Sequence, residues 1–175
     1  IHHHGGFGGY QSMLYRFPSQ NRAIIFNANN GLELQYNDIR YTLMAILDGK
    51  NVEHPKKDAH ILYYQTLMSE GFAKAKQVYL DCMQNSENFD IDERDMNGIG
   101  YFLLGKNQKE QALQTFKFNT QLFPKSANIW DSYGEALEKT VELKGASKAY
   151  TKALELAKTS GNTRLIDRLK RSLLR

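Results

Sequence analysis

The feature that most constrains this chain is a repeat of 34 residues in its C-terminal part. Small, apolar and aromatic residues return in the same order at this offset: Gly100 and Gly134, Ala112 and Ala146, Phe116 and Tyr150, Met96 and Trp130, Ile99 and Tyr133. A period of about 20–50 residues is typical of stacked supersecondary units. Because glycine and alanine let two helices approach closely, the pattern predicts antiparallel helix pairs with aromatic residues between them. We expect the methyl group of an alanine at Gly134 to fit this contact.

The pattern resembles the tetratricopeptide (TPR) signature, which combines Trp, Gly, Ala, an aromatic residue and a terminal Pro at this period. The matching residues are Trp130, Gly134, Ala146, Tyr150 and, at the end of the preceding unit, Pro124. The match has two departures, because Asn119 replaces the small residue found as Ala153, and Lys158 replaces the expected Pro. The resemblance implies a helical solenoid in which the first helix of each pair lines a groove for a protein or peptide.

The repeat register also predicts where the units begin and end. Ala75, Tyr79 and Cys82 stand 37 residues before their counterparts in the next unit, which indicates a degenerate first pair. We therefore predict a linker at 51–58, a degenerate TPR-like helix pair at 59–92, TPRs at 93–126 and 127–160, and a capping helix at 161–175. A cap is expected because the last unit of a solenoid otherwise leaves its apolar face in water.

The first 50 residues have a different pattern. Residues 10–17 and 22–28 are predicted to be two strands joined by the polar turn at 18–21, which is a hairpin signal. Apolar residues then recur at helical spacing between about 35 and 48, and Gly49 is expected to end that helix.

This N-terminal part resembles the third active-site motif of penicillin-recognising serine hydrolases, the family of class C β-lactamases and D-alanyl-D-alanine peptidases. The residues that carry the resemblance are His3-x-Gly5, Gly9-Tyr10, Pro18 and Asn27. The resemblance implies that residues 1–50 are the C-terminal remnant of a hydrolase domain. His3 and Gly5 would then face the substrate, and Gly6 would offer an oxyanion-hole N–H. It also implies a periplasmic or extracytoplasmic location.

The nucleophile motif Ser-x-x-Lys and the motif Tyr-x-Asn are absent from the sequence. The chain is therefore expected to be catalytically incomplete, and whether it is an enzyme stays uncertain. The predicted fold class is mainly α: a TPR helical-repeat solenoid preceded by a β-hairpin plus helix remnant of an α+β serine hydrolase domain.

Three functions agree with these patterns. The chain could be the C-terminal portion of a hydrolase whose TPR extension mediates protein interaction, or a stand-alone TPR peptide-binding or scaffold module. In a third, the array only packs against an upstream hydrolase domain. The register places the predicted groove residues on the first helices of the two TPRs: Arg94, Asn97, Tyr101, Asn128, Asp131, Glu135 and Glu138. This face is acidic in its last repeat, which favours a basic or neutral ligand.

The net charge is +4, and much of it lies in a C-terminal cluster formed by Arg164, Arg168, Lys170, Arg171 and Arg175. Such a cluster is typical either of a nucleic-acid or anionic-membrane surface or of the solvated face of a helix. The second interpretation is favoured because no aromatic residues interleave with the basic ones. We expect no nucleic-acid partner and no membrane span.

The histidine and cysteine residues give no positive sign of a metal or a disulfide. Alternate residues of a strand point to opposite faces, so in His2-His3-His4 at most two side chains could converge on a metal. The run could also be part of a purification tag. We expect no metal and no cofactor. Cys82 is the only cysteine, and it falls on the apolar side of a helix where burial is expected.

Overall fold

The computed structural model describes residues 1–7, 10–28, 36–52 and 56–174. The chain divides into two compact units, Ile1–Pro55 and Lys56–Arg175. The predicted hairpin at 10–28 and the helix that begins near residue 35 both lie in the first unit. The repeats lie in the second.

The first unit contains a three-stranded antiparallel sheet and a helix. Its strands are β1 (His2–Phe7), β2 (Tyr10–Phe17) and β3 (Arg22–Ala28), paired in that order. A short 3-10 turn (Pro18–Gln20) joins β2 to β3, and Asn21 follows it in the left-handed conformation at φ 52°. The predicted hairpin is thus confirmed.

Burial alternates along these strands as one face of the sheet is covered. Met13 and Ile24 are buried, whereas the next residues, Leu14 and Ile25, are exposed. After the strands comes α1 (Tyr36–Leu47), and Gly49 lies just beyond its end with φ of 66°. This positive φ suits glycine, which has no Cβ to clash, and the predicted helix end is confirmed.

The second unit is almost entirely helical. Its helices are α2 (Ala59–Glu70), α3 (Phe72–Gln84), α4 (Glu93–Gly105), α5 (Lys109–Leu122), α6 (Ala127–Lys139), α7 (Leu143–Thr159) and α8 (Thr163–Ser172). Three of these helices begin at a side-chain cap, since Asp92, Ser126 and Asn162 each accept a hydrogen bond from a backbone N–H of the first turn. In the described part of the chain, no helix is both long and apolar enough to span a membrane.

Consecutive helices of this unit pack as antiparallel pairs: α2 with α3, α4 with α5, and α6 with α7. Like helices of successive pairs are also neighbours, because α4 contacts both α2 and α6, and α5 contacts α3. The last helix, α8, packs on α7. This is the mainly helical, TPR-like fold that the 34-residue pattern predicts.

A second, very short sheet pairs residues before α2 with residues before α4. Here β4 (Lys57–Asp58) pairs in parallel with β5 (Phe89–Asp90). The pairing ties the residues that lead into α2 to those that lead into α4. Its strand β5 lies within the longer connection by which the first pair departs from the 34-residue spacing.

The repeated glycines make the same contact in two successive pairs. A Cβ built on Gly100 would lie 2.6 Å from the ring of Phe116, and one built on Gly134 would lie 2.6 Å from the ring of Tyr150. Each ring belongs to the second helix of the same pair. Because such a distance is well inside van der Waals contact, the expectation that an alanine methyl fits at Gly134 is wrong. Only a residue without a side chain lets each ring pack against the facing helix.

The core of the second unit is aromatic at its N-terminal end. Tyr63, Tyr79 and Phe118 are fully buried, with ring centroids about 6 Å apart. The hydroxyl of Tyr63 shares a hydrogen bond of 3.0 Å with that of Thr115. Cys82 is also buried here as a free thiol.

Candidate functional site

The surface of interest is the side that α2, α4 and α6 present away from α3, α5 and α7, which we call the inner face. On α4, the residues of the inner face can be identified from the residues that are buried on the opposite side of the helix. Met96, Ile99 and Gly100 are buried in the core beside α5, so the opposite side of the helix carries Gly98 and Phe102. Both of these residues are exposed.

Two hydrogen bonds join α4 to α6 along this surface. Asn97 donates from Nδ2 to Ser132 Oγ at 2.8 Å, and the hydroxyl of Tyr101 donates to Glu135 Oε2 at 2.9 Å. Burial, together with the carboxylate of Glu135, raises the pKa of Tyr101 to about 12, although its contact with Ser132 acts in the opposite direction. Tyr101 is therefore a protonated donor at neutral pH, and the two bonds fix the spacing of successive pairs.

The carboxylates at the C-terminal end of α6 already have partners. Glu135 forms an ion pair of 2.7 Å with Lys139, and Glu138 accepts a hydrogen bond of 2.7 Å from the hydroxyl of Tyr150. They line a cleft of about 580 Å³ together with Lys139, Tyr150, Arg168 and Ser172. Glu135 is thus paired with a cation, whereas Glu138 has only a neutral donor, so this part of the inner face is mixed in charge but keeps negative charge at Glu138.

The last helix brings a positive charge to the same surface. Arg168 of α8 forms an ion pair with Asp131 of α6, whose side chain is only 4% exposed. The other carboxylate oxygen of Asp131 is buried and has no hydrogen-bond partner among the described residues. Arg168 therefore compensates most of the charge of a buried carboxylate, and it connects α8 to the inner face.

A second cleft, of about 560 Å³, lies between the N-terminal ends of α6 and α8. We call it the arginine cleft, and its lining residues are Ala127, Asn128, Asn162, Arg164, Leu165, Arg168 and Arg171. No carboxylate is among these lining residues of the described chain. Arg164, Arg168 and Arg171 follow each other at i, i+4 and i+7, which places all three guanidinium groups on one side of α8.

The other end of the inner face is apolar. The ring of Phe102 on α4 meets the ring of Tyr64 on α2 edge-on, with centroids 5.5 Å apart, and Lys106 lies 5.6 Å from the centre of the Phe102 ring. Phe102 nevertheless remains 40% exposed. Beside it, a Cβ on Gly98 would find no atom within 4 Å. This end thus offers an exposed aromatic ring next to open space.

The structure brings most of the predicted groove residues together around α4, α6 and α8, but Asn97 and Asp131 are buried between the helices. Asn97, Tyr101, Asp131 and Glu135 belong to the contacts between α4, α6 and α8, and Glu138 lines the cleft beside Tyr150. Asn128 lines the arginine cleft. Arg94 is exposed and forms a 2.6 Å ion pair with Asp92 of its own helix cap. Whether these residues bind a partner stays a prediction.

The sequence pattern predicts only the solvated face of a capping helix for the arginines of α8, and it indicates no role for Gly98 or Phe102. A usable signal was present in the spacing, because positions 164, 168 and 171 share one helix side. The spacing does not tell which neighbouring helix that side meets.

A buried ionisable pair lies outside the inner face, near the start of α2 and α4. His60 is 2% exposed, and its Nδ1 lies 3.6 Å from Asp95 Oδ2. Burial lowers the pKa of His60, while nearby Asp58, Asp90 and Asp92 act in the opposite direction. Burial, reinforced by neighbouring aspartates, raises the pKa of Asp95 to about 6. Among the described residues, no cluster of three or more His, Cys, Asp or Glu could hold a metal ion.

The residues predicted to form a catalytic motif lie on β1 of the first unit. His3 is exposed and lies opposite Leu14, Gly5 lies opposite Ser12, and Gly6 lies opposite Gln11. Ser12 donates a weak hydrogen bond of 3.4 Å from its hydroxyl to the carbonyl of Gly5. Gly9, which belongs to the same proposed motif, falls outside the described residues.

Comparison with known proteins returned solved structures only. No family model matches the chain, and no curated protein matches it. A crystal structure of PcrH in complex with the chaperone binding region of PopB matches at 20% identity with a TM-score of 0.46, covering 66% of this chain and 91% of that chain. A structure of PcrH from Pseudomonas aeruginosa matches at 20% identity with a TM-score of 0.45, covering 66% of this chain and 86% of that chain.

The prediction that residues 1–50 are a remnant of a penicillin-recognising serine hydrolase is wrong. The two solved structures described above are both PcrH, and no family model or curated protein matches the chain. The motif consists of His3, two glycines, Tyr10, Pro18 and Asn27, and such a short set of residues can occur by chance in a glycine-rich strand before a hairpin. With the family resemblance, the catalytic role of His3, Gly5 and Gly6 loses its basis.

Proposed function

We propose that this chain is a TPR-like binding module, in which Lys56–Arg175 holds a peptide segment of a partner protein along the inner face. In this proposal α2–α3, α4–α5 and α6–α7 are the three repeat units and α8 is the cap, close to the boundaries predicted from the sequence. Of the predicted groove residues Arg94, Asn97, Tyr101, Asn128, Asp131, Glu135 and Glu138, the buried Asn97 and Asp131 hold the helices together, and the other five contribute its polar part.

The observation that carries the proposal is the pair formed by Gly98 and Phe102 on α4. Glycine in the interior of a helix is less favourable than alanine by about 1 kcal/mol. Packing gives no reason for that cost at Gly98, since a Cβ there would contact nothing within 4 Å. A partner backbone that approaches the helix at this point does give a reason. Phe102, one turn later and 40% exposed, offers that partner an apolar contact.

Two further features support a peptide over a rigid protein surface. The inner face runs across successive helices rather than along one, with an apolar end at Phe102 and a polar end at α6 and α8. An extended or helical segment can contact such a strip with several side chains in sequence. The bonds from Asn97 and Tyr101 to α6 hold the strip in a fixed shape before binding, which reduces the ordering cost.

The proposal is tested by selecting peptides from a displayed random library on the full chain, then measuring the affinity of the selected peptides by fluorescence anisotropy. Gly98→Gln is the test variant, because Gly98 is exposed and a Cβ there meets no atom within 4 Å. Ser147→Gln is the matched control, since Ser147 is exposed on α7, on the opposite side of the unit. We expect Gly98→Gln to weaken binding at least about tenfold and Ser147→Gln to leave it unchanged.

Equal affinities of the two variants and the unmodified chain would contradict the proposal. Both variants must retain the helical circular dichroism signal. This is expected because both positions are exposed.

A further inference from the structure

The arginine cleft carries more positive charge than its surroundings compensate. Arg168 is paired with Asp131, but Arg164 and Arg171 form no ion pair with any described residue. Both are exposed, and together with Arg168 they line one cleft of about 560 Å³. Three guanidinium groups that face the same space repel one another. An anionic ligand in the cleft would remove that repulsion.

The rest of the lining also favours an anion. Asn128 and Asn162 offer amide groups, and the N-terminal ends of α6 and α8 both open at the cleft. The first N–H groups of a helix carry a partial positive charge. Asn162 already uses its side-chain oxygen to accept the N–H of Leu165, so its amide nitrogen remains as a donor.

We propose that the segment bound on the inner face is acidic at one end, and that its Asp or Glu side chains enter the arginine cleft. The inference rests on the proposed function and states the chemistry of the partner. Arg164 and Arg171 bind the carboxylates, because the planar guanidinium matches a carboxylate with two parallel hydrogen bonds. The apolar residues of the same segment extend from there towards Phe102. The sequence favours a basic or neutral ligand because the acidic residues of α6 were taken alone, without the arginines of α8.

A peptide fits this surface better than a nucleic acid. A continuous polyanion that left the cleft along the inner face would meet the carboxylates of Glu135 and Glu138. No aromatic ring lines the arginine cleft in the described chain, so bases have nothing to stack on there. Negative charge is therefore favoured at one end only, which a peptide with a short acidic stretch provides.

The test is a set of parallel selections from a displayed random peptide library on three full-length chains. The first is the unmodified chain, and the second is the double variant Arg164→Glu/Arg171→Glu. The third, Lys148→Glu/Lys170→Glu, is the control: it changes the net charge equally at exposed positions outside the cleft lining. Arg168 is left intact because its loss would leave the buried Asp131 unpaired.

We expect Asp and Glu to be enriched in peptides selected on the unmodified chain and on the control, but not on the double variant. The affinity of the best acidic peptide should fall at least about tenfold in the double variant. On the unmodified chain its affinity should fall as salt is added, because salt screens the attraction between the arginines and the carboxylates. The milder variant Arg171→Gln should lower it in the same direction. Circular dichroism of each variant verifies that it is folded.

The outcomes separate the two proposals. If peptides bind in a Gly98-dependent manner without acidic enrichment, or if enrichment survives the double variant, the acidic-segment inference fails and the proposed function stands. If no selected peptide depends on Gly98, both fail. A labelled single-stranded oligonucleotide that binds more tightly than the acidic peptides and is released by Arg164→Glu/Arg171→Glu would overturn the inference in favour of nucleic acid.

Discussion

Two glycines of α4, separated by one residue, should respond in opposite ways to the same small change. Gly98 faces open space, whereas a Cβ on Gly100 would lie 2.6 Å from one ring carbon of Phe116 and 2.7 Å from two others. Alanine replaces either glycine with one methyl group and gains about 1 kcal/mol of helix propensity. The sign of the net effect therefore depends only on what the methyl group meets.

For Gly98→Ala we expect the full gain, a free energy of unfolding higher by about 0.5–1 kcal/mol. For Gly100→Ala the ring must move by about 1 Å to reach ordinary carbon contact distances. Phe116 is fully buried, and its ring packs edge-on against Tyr101 with centroids 5.1 Å apart. Overpacking of this kind costs about 1–3 kcal/mol, so after the propensity gain we expect a net loss of about 1–2 kcal/mol.

Urea denaturation of the full chain, followed by far-UV circular dichroism, measures both values, because nearly all helices belong to Lys56–Arg175. Gly105→Ala is the control, since it also faces open space at the end of α4. The reasoning is refuted if Gly100→Ala is as stable as Gly98→Ala. In that case the ring of Phe116 does not pack on Gly100, and the repeat register that places Gly134 against Tyr150 is wrong as well.

Two further predictions concern the core. Asp95 has a folded pKa of about 6, above the ordinary 3.8, so its favourable contribution exists at low pH and is lost as the pH rises through about 6. Asp95→Asn should therefore raise the free energy of unfolding near pH 8 by at most about 3 kcal/mol. This gain should shrink as the pH falls from about 6 to about 4. A gain that does not vary with pH in urea titrations would disprove the prediction. Cys82 is 3% exposed, and burial raises the pKa of its thiol. We expect it to react with a thiol reagent such as DTNB only after unfolding, and fast reaction in buffer would show that α3 is not packed as described.

The fold of the repeats could be predicted from the sequence because the residues that pack two helices together recur in each repeat. Gly100 and Gly134 need a small residue at a helix contact, and the ring that fills the contact follows 16 positions later in both cases. The same offset of 34 residues relates Tyr101 to Glu135, which the structure joins by a hydrogen bond. A period of this kind therefore predicts which residues of different helices contact each other, in addition to where the helices begin and end.

The arginine cleft could not be predicted in this way. Its helix, α8, lies outside the repeat, and its orientation depends on how Leu165, Ile166 and Leu169 pack beside α7. The sequence shows that Arg164, Arg168 and Arg171 share one side, but only this packing turns that side towards α6. The hydrolase prediction failed for a related reason. It depended on one local motif, and the sequence contains no second motif, such as the nucleophile, whose presence could have supported it.

The central claim is that a peptide binds on the inner face. Hydrogen–deuterium exchange of the full chain, with and without a selected peptide and at short exchange times, tests it most directly. We predict that bound peptide slows exchange in α2, α4, α6 and the first turn of α8 and leaves α3, α5 and α7 unchanged. Slower exchange confined to α3, α5 and α7, or to Ile1–Pro55, would place the binding site elsewhere and contradict the account.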